Sequence, residues 1–352
     1  MAYTTINKSS DYFDTKLHNG NATAKTLAYD FEVDMFWTKM RNDAYPHNLF
    51  DVVRGNNQRL RVNQTNANGV AGNTVSFGNS SGISLGTDSG NYGTNKTQTD
   101  GGSQATYVGW GWKAGTGQGS SNTDGSINTT YTSVNTTAGF SISSYTGNAT
   151  SGATVGHGLG VVPKMIIVKC TSDSTNWTVY TAATGNTDWL YLNASNAAGA
   201  NSAAWNNTSP TASVFSLGND GDVNGSGRTY IAYCFAEKTG YSKFGSYTGN
   251  GNSDGAFVYT GFKPEFVMTK KTSGTSSWDM HDTKRDTFNV ATKHLLAEDA
   301  GAEGSTVVLD ILSNGFKFRT SNGDRNASGG SYIYMAFGQS IVGTNNIPAT
   351  AR

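Results

Sequence analysis

The stretches that decide the fold are Phe140-Ser141-Ile142-Ser143-Ser144-Tyr145-Thr146-Gly147-Asn148 and Phe244-Gly245-Ser246-Tyr247-Thr248-Gly249-Asn250, which share Tyr-Thr-Gly-Asn outright. A weaker version opens the chain, Phe13-Asp14-Thr15-Lys16-Leu17-His18-Asn19-Gly20-Asn21. Further landmarks follow each copy in the same order. An apolar run ending in lysine comes first: Met35 to Lys39, Met165 to Lys169 and Phe266 to Lys270. A tyrosine-centred run closes each copy, around Tyr107, Tyr230 and Tyr332. A spacing of about 100 residues is too long for a solenoid or propeller unit of 20–50 residues and is the size of a small domain.

Working outward, the chain divides into repeat 1 (1–114), a Gly/Ser/Thr/Asn-rich linker (115–137), repeat 2 (138–238) and repeat 3 (239–352), which ends in a short polar tail. Only Glu237-Lys238-Thr239-Gly240 separates the last two repeats, so their mutual angle is expected to be fixed. Within a repeat the pattern is that of strands. Met165 to Val168 is apolar at every position, as in a strand covered on both faces, whereas Phe316-Lys317-Phe318-Arg319 alternates. Turn dipeptides such as Asn19-Gly20, Ser81-Gly82, Asn314-Gly315 and Asn322-Gly323 separate the runs. Asn289 to Ala300 favours a helix by propensity, but its counterparts Arg59-Leu60-Arg61-Val62-Asn63 and Trp189-Leu190-Tyr191-Leu192-Asn193 alternate, so a strand is predicted there. The expected class is all-β: three tandem β-sandwich, jelly-roll-like domains.

Composition agrees and excludes other classes. Of 352 residues, 44 are Gly and only 5 are Pro, and charged residues make up 14%. Lys+Arg and Asp+Glu are both 25, so the chain has no net basic charge with which to bind a nucleic-acid backbone. An aromatic content of 11% argues against disorder. No apolar run approaches the ~20 residues of a membrane span, and Met1-Ala2-Tyr3-Thr4-Thr5-Ile6 does not read as a secretory signal. Cys170 and Cys234 lie in strand-like runs and are expected as buried thiols, with a disulfide between them left open.

The opening Ile6-Asn7-Lys8-Ser9-Ser10-Asp11-Tyr12-Phe13, the Gly156-His157-Gly158-Leu159-Gly160 turn and the Tyr-Ile-Ala-Tyr-Cys-Phe-Ala-Glu run at 230–237 resemble a repeated β module of predicted tail-fibre and other virion structural proteins of marine tailed bacteriophages. The resemblance covers nearly the whole chain and is strongest in repeats 2 and 3. It implies a virion location after synthesis in the host cytoplasm, and a host-contacting role. Partners would be other virion proteins and a host-surface glycan or protein. It carries no catalytic residues. Repeat 1 departs from it, with His18 in place of the tyrosine, which suggests a unit rebuilt for docking to the virion. Symmetric association to cover strand edges makes a homotrimer the expected assembly.

No catalytic constellation, metal site or cofactor loop emerges from the residues, so no catalytic residue, metal or cofactor is predicted. Glycoside hydrolysis needs two carboxylates about 5–10 Å apart, and the acid-dense stretches are Asp279 to Asp286 and Glu298 to Glu303. Asp282 and Arg285 repeat the spacing of Asp51 and Arg54, which reads as a loop-bracing ion pair with ligand binding as the alternative. His157, between glycines, reads as a hydrogen-bonded structural residue. The tryptophans Trp205, Trp189, Trp177 and Trp278 are the remaining binding candidates, because sugar rings stack on aromatic faces. Trp177 and Trp278 share a repeat position, which favours a core role, whereas Trp205 is specific to repeat 2 and is expected to be exposed. The predicted function is multivalent adhesion by a phage tail fibre or receptor-binding protein. The alternatives are a head decoration or tail-assembly adaptor and, less so, a polysaccharide depolymerase.

Overall fold

A computed structural model describes residues 4–342, so the first three residues and most of the polar tail lie outside the described residues. The protein is all-β and built from antiparallel sheets. Each repeat forms one large sheet with the same central order. Its opening strand (Phe13–Asn19, Phe140–Thr146, Ser242–Thr248) pairs with its closing strand (Thr106–Trp112, Thr229–Phe235, Ser331–Ser340). The closing strand pairs in turn with the lysine-bearing strand (Met35–Met40, Met165–Cys170, Phe262–Lys271). A fourth strand follows (Asn48–Asp51, Trp177–Thr181, Trp278–Asp282), then a fifth (Gln58–Arg61, Gly185–Tyr191, Ala291–Leu296). Ala291–Leu296 is thus a strand, as its counterparts required, against its local helical propensity.

The Tyr-Thr-Gly-Asn landmark has a structural explanation. The opening-strand residue faces the closing-strand tyrosine and the rings stack: Tyr145 on Tyr230 at 5.2 Å, Tyr247 on Tyr332 at 4.8 Å, and His18 on Tyr107 at 4.8 Å. The substitution in repeat 1 therefore keeps the stack. A Cβ on Gly20, Gly147 or Gly249 would collide with the carbonyl of Lys96, Gly225 or Ala327. The next residue's amide is received by a fully buried asparagine side chain, Asn95, Asn224 or Asn326.

Alternation along the strands sends side chains to two cores. The inner faces of all three sheets meet in one shared core. The closing strands supply Val108, Trp110 and Trp112, Ile231, Tyr233 and Phe235, and Ile333, Met335 and Phe337. Register places Trp112, Phe235 and Phe337 at one position, and their rings meet: Phe235 lies 6.0 Å from Phe337, and Trp112 lies 5.9 Å from Phe337. The outer faces carry separate cores, around Phe36 and Phe50 in unit 1, Ile166, Val168 and Trp205 in unit 2, and Phe316 and Phe318 in unit 3. Cys170 and Cys234 are free thiols buried in the second of these. A small sheet covers the outer core of unit 1 (Lys25–Ala28, Gly82–Leu85, Val75–Ser76), and another that of unit 2 (Ala153–Gly156, Val214–Leu217). In unit 3 the corresponding strands, Phe257–Tyr259 and Gly315–Phe318, join the large sheet, which curls into a nearly closed barrel of eight strands.

Residues 115–137, expected as a linker, are held down along their length. The Asp34 carboxylate accepts the amides of Ala114, Thr116 and Gly117. Burial pushes its pKa up to about 6, and those three amides oppose the shift. Tyr131–Asn135 then pairs with Phe140–Thr146 as the edge strand of sheet 2. Its Tyr-Thr-Ser-Val-Asn sequence merges with the polar residues around it, so composition hid the strand.

Because the inner core is shared, a chain truncated after residue 240 would expose the inner faces of units 1 and 2. Such a chain is expected to lose dispersed amide resonances and a cooperative thermal transition. A sharp transition in the truncated chain would show that the first two units do not need the third.

Candidate binding surface

The three units close on themselves through backbone hydrogen bonds at equivalent positions. Asn68 in unit 1 donates its amide to Thr171 O in unit 2 (2.9 Å), Ala198 in unit 2 to Thr272 O in unit 3 (3.0 Å), and Glu303 in unit 3 to Arg41 O in unit 1 (2.7 Å). Each donor lies in the loop after the fifth strand, and each acceptor lies two residues beyond the buried lysine.

The lysines reinforce the same junctions. The Lys169 ammonium donates to Thr65 O of unit 1 and to Cys170 O of its own unit. Lys270 donates to Ser195 O of unit 2 and to Ser276 O. At the third junction Lys39 donates to its own Met40 and Asp43 carbonyls, and a two-point Arg41–Glu303 pair spans the units instead. Burial pushes the pKa of each of the three lysines down to about 8.

Most of the residues singled out in the sequence belong to these joints. Trp177 Nε1 donates to Arg61 O (3.1 Å) and Trp278 Nε1 to Tyr191 O (2.8 Å), so both tryptophans fasten one unit to the next and neither offers a free face. His47 takes the same register position in unit 1 and lies by the Leu296 backbone of unit 3, though its Nε2 forms no well-made hydrogen bond. Burial drives its pKa well down.

Asp282 and Arg285 form a buried ion pair at 2.5 Å, as do Asp51 and Arg54. The carboxylates also receive donors from neighbouring units: Trp110 Nε1 reaches Asp282, and the Tyr233 hydroxyl reaches Asp51. Unit 2 has Thr181 and Thr184 at these places, and the third residue equivalent to Trp110 and Tyr233 is the non-donor Met335. Carboxylate, arginine and donor are thus present together at two joints and absent together at the third. The expectation that Trp205 is exposed is corrected. It closes the short helix Ser202–Trp205, is only 2% exposed, and packs edge-on against Tyr180, filling the outer core of unit 2. His157 is buried, accepts the Leu159 amide at Nδ1 and bonds Thr211 O through Nε2, as a turn-fixing residue would.

Trp189 differs from the rest. It is half-buried on the fifth strand, with its ring 4.1 Å from that of Tyr191. Register places it opposite Gly199, just as Arg59 lies opposite Gly69 and His294 opposite Gly304. The glycines leave room for these side chains: a Cβ on Gly199 would press on the Trp189 ring and one on Gly304 on the His294 ring, whereas Gly69 has open space. The result is one surface niche with different walls in each unit. In unit 1 it is a cavity of about 180 Å³ lined by Arg59, Arg61, Asn66, Ala67 and Gly69. In unit 3 it is about 60 Å³, with His294 and Leu296 among its walls. Trp189 and Tyr191 occupy the corresponding place in unit 2. Arg59 and Arg61 were not singled out in the sequence; the signal was the glycine opposite the variable residue in each copy. Among the described residues no group of three or more His, Cys, Asp or Glu could hold a metal ion.

One family spans this architecture. The chain belongs to the family described as "Domain of unknown function (DUF7483)", which matches residues 8–340 and so takes in all three units together. No curated protein and no solved structure matches the chain.

The ion pairs at the joints make a direct test. Arg285→Met would leave the Asp282 carboxylate buried without its guanidinium, while Glu303 keeps Arg41, and is expected to cost about 3–5 kcal/mol of stability. Thr184→Met, at the equivalent place in unit 2, is expected to fall within about 0.5 kcal/mol. Denaturant melts of the two variants check this, and similar losses in both would remove the special role of the joint.

Proposed function

We propose that the protein is a virion component of a tailed phage, a tail-fibre or receptor-binding adhesin that holds the host surface by several weak sites at once. On this reading units 1 and 2 are jelly-roll-like β-sandwiches, with the large sheet facing the shared core and the smaller strands covering the outer one, and unit 3 is the same module with its covering strands joined to the large sheet. Chains associate further as a homotrimer, and no catalytic step is assigned. The observation that carries the proposal is the niche beside the fifth strand, which recurs in every unit while its walls change from arginine to tryptophan and tyrosine to histidine and leucine. A scaffold that holds its backbone constant and varies the exposed side chains at one place suits recognition. The inter-unit hydrogen bonds fix the spacing of the three niches, which is what avidity requires. The resemblance of the repeat landmarks to phage virion modules points the same way.

Beads densely coated with the full chain are expected to adhere to host cells, and Trp189→Ala is expected to reduce adhesion several-fold. Capture of purified phage particles without adhesion to any cell would contradict the reading and point to a decoration or adaptor protein.

A further inference from the structure

We infer that the niche of unit 1 binds the carboxylate of an acidic sugar residue, gripped between Arg59 and Arg61. This rests on the adhesin reading for its biological sense, though not for its chemistry. Arg59 and Arg61 are alternate residues of one strand, so their side chains leave on the same face. Both line the cavity. Arg59 is only 8% exposed, with its guanidinium 4.5 Å from the centre of the Tyr92 ring. Arg61 donates to the neutral Gln64 side chain. Among the described residues neither arginine forms an ion pair, whereas the buried arginines at the joints, Arg54 and Arg285, each hold a carboxylate.

Asp88 attracts Arg59 but forms no ion pair with it among the described residues. Asp88 is buried, and its two carboxylate oxygens already accept the amides of Tyr92, Gly93, Thr94 and Asn95. Burial, with the repulsion of Arg61 behind it, lowers the Arg59 pKa to about 10, as expected for a cation short of a partner. Two like-charged side chains lining one cavity leave an electrostatic demand that an anion meets, and a carboxylate is matched by the planar arginine fork.

The size and the remaining walls narrow the ligand. A cavity of about 180 Å³ lies below the ~300 Å³ at which pockets enclose a drug-sized molecule, so it takes one residue of a longer chain rather than a nucleotide or cofactor. The Asn66 side chain and the backbone beside Ala67 and Gly69 are neutral hydrogen-bonding groups suited to hydroxyls. The equivalent place in unit 2 holds the half-buried Trp189 and Tyr191, whose rings lie against each other, an aromatic wall of the kind sugars pack on. A glycan with acidic and neutral residues fits both sites.

The test is calorimetric titration of the full chain with a galacturonate oligomer, a neutral glucose oligomer of equal length, and inorganic phosphate. The galacturonate oligomer is expected to bind, with affinity falling as salt rises. Arg61→Gln is expected to weaken it about tenfold or more, the effect of losing a charge-assisted contact. Arg59→Gln should do the same. Since Arg59 packs on Tyr92 and its loss could unfold the unit, the half-buried Arg61 is the decisive variant. Galacturonate binding unchanged in Arg61→Gln, binding of phosphate alone, or binding of no anion at all would each overturn the assignment. Adhesion to cells that survives Arg61→Gln but not Trp189→Ala would preserve the adhesin reading while removing this one.

Discussion

The structure depends on one constraint: three sheets, each apolar on both faces, must bury their inner faces against one another. A lone sheet of this kind could cover its outer face with its own small strands but would leave Trp112, Phe235 or Phe337 in water. Deleting a buried aromatic side chain costs about 3–5 kcal/mol, so a unit with its whole inner face exposed has no route to stability on its own. The solution is a closed triangle, in which the inner faces form one core and the loops after the fifth strands lock the corners. The matching family likewise spans all three repeats, residues 8–340.

The corners show how a repeat diverges without breaking the ring. The backbone hydrogen bonds from Asn68, Ala198 and Glu303 are kept at all three, because they need no particular side chain. The side-chain chemistry around them changes as a set. Two joints combine carboxylate, arginine and an aromatic donor from the adjoining unit, and the third has Thr181, Thr184 and Met335. Removing only one member would strand a buried charge, while removing all of them leaves none to satisfy. The niches obey a different rule, since their partly buried walls differ in each copy over a constant backbone.

Much of this was legible in the sequence, and the limits have physical causes. The repeats, the all-β class, the strand at 291–296 and the bracing role of the Asp282–Arg285 spacing followed from periodicity and spacing. The closed ring did not, because its corner contacts are between backbone groups, which leave no mark on residue identity. Trp177 and Trp278 stood among the binding candidates, with their shared position favouring the core, and the carbonyl each one reaches in the adjoining unit was not visible. Trp205 was misplaced for an instructive reason. A residue unique to one copy was equated with an exposed one, whereas each outer core is separately packed and also varies between copies. Arg59 and Arg61 went unmarked because they read as the polar face of an alternating strand. Only register against Gly69, Gly199 and Gly304 reveals that position as a cavity wall.

The central claim, that three repeats form one cooperative body, is tested most directly by native-state hydrogen exchange at the corner amides of Asn68, Ala198 and Glu303. These amides are in different repeats, and each donates to another repeat. The account predicts that all three exchange only through global unfolding, with one common free energy equal to that from denaturant melts. Distinct free energies for the three amides, each matching the opening of a single repeat, would contradict it and return the chain to three independent domains.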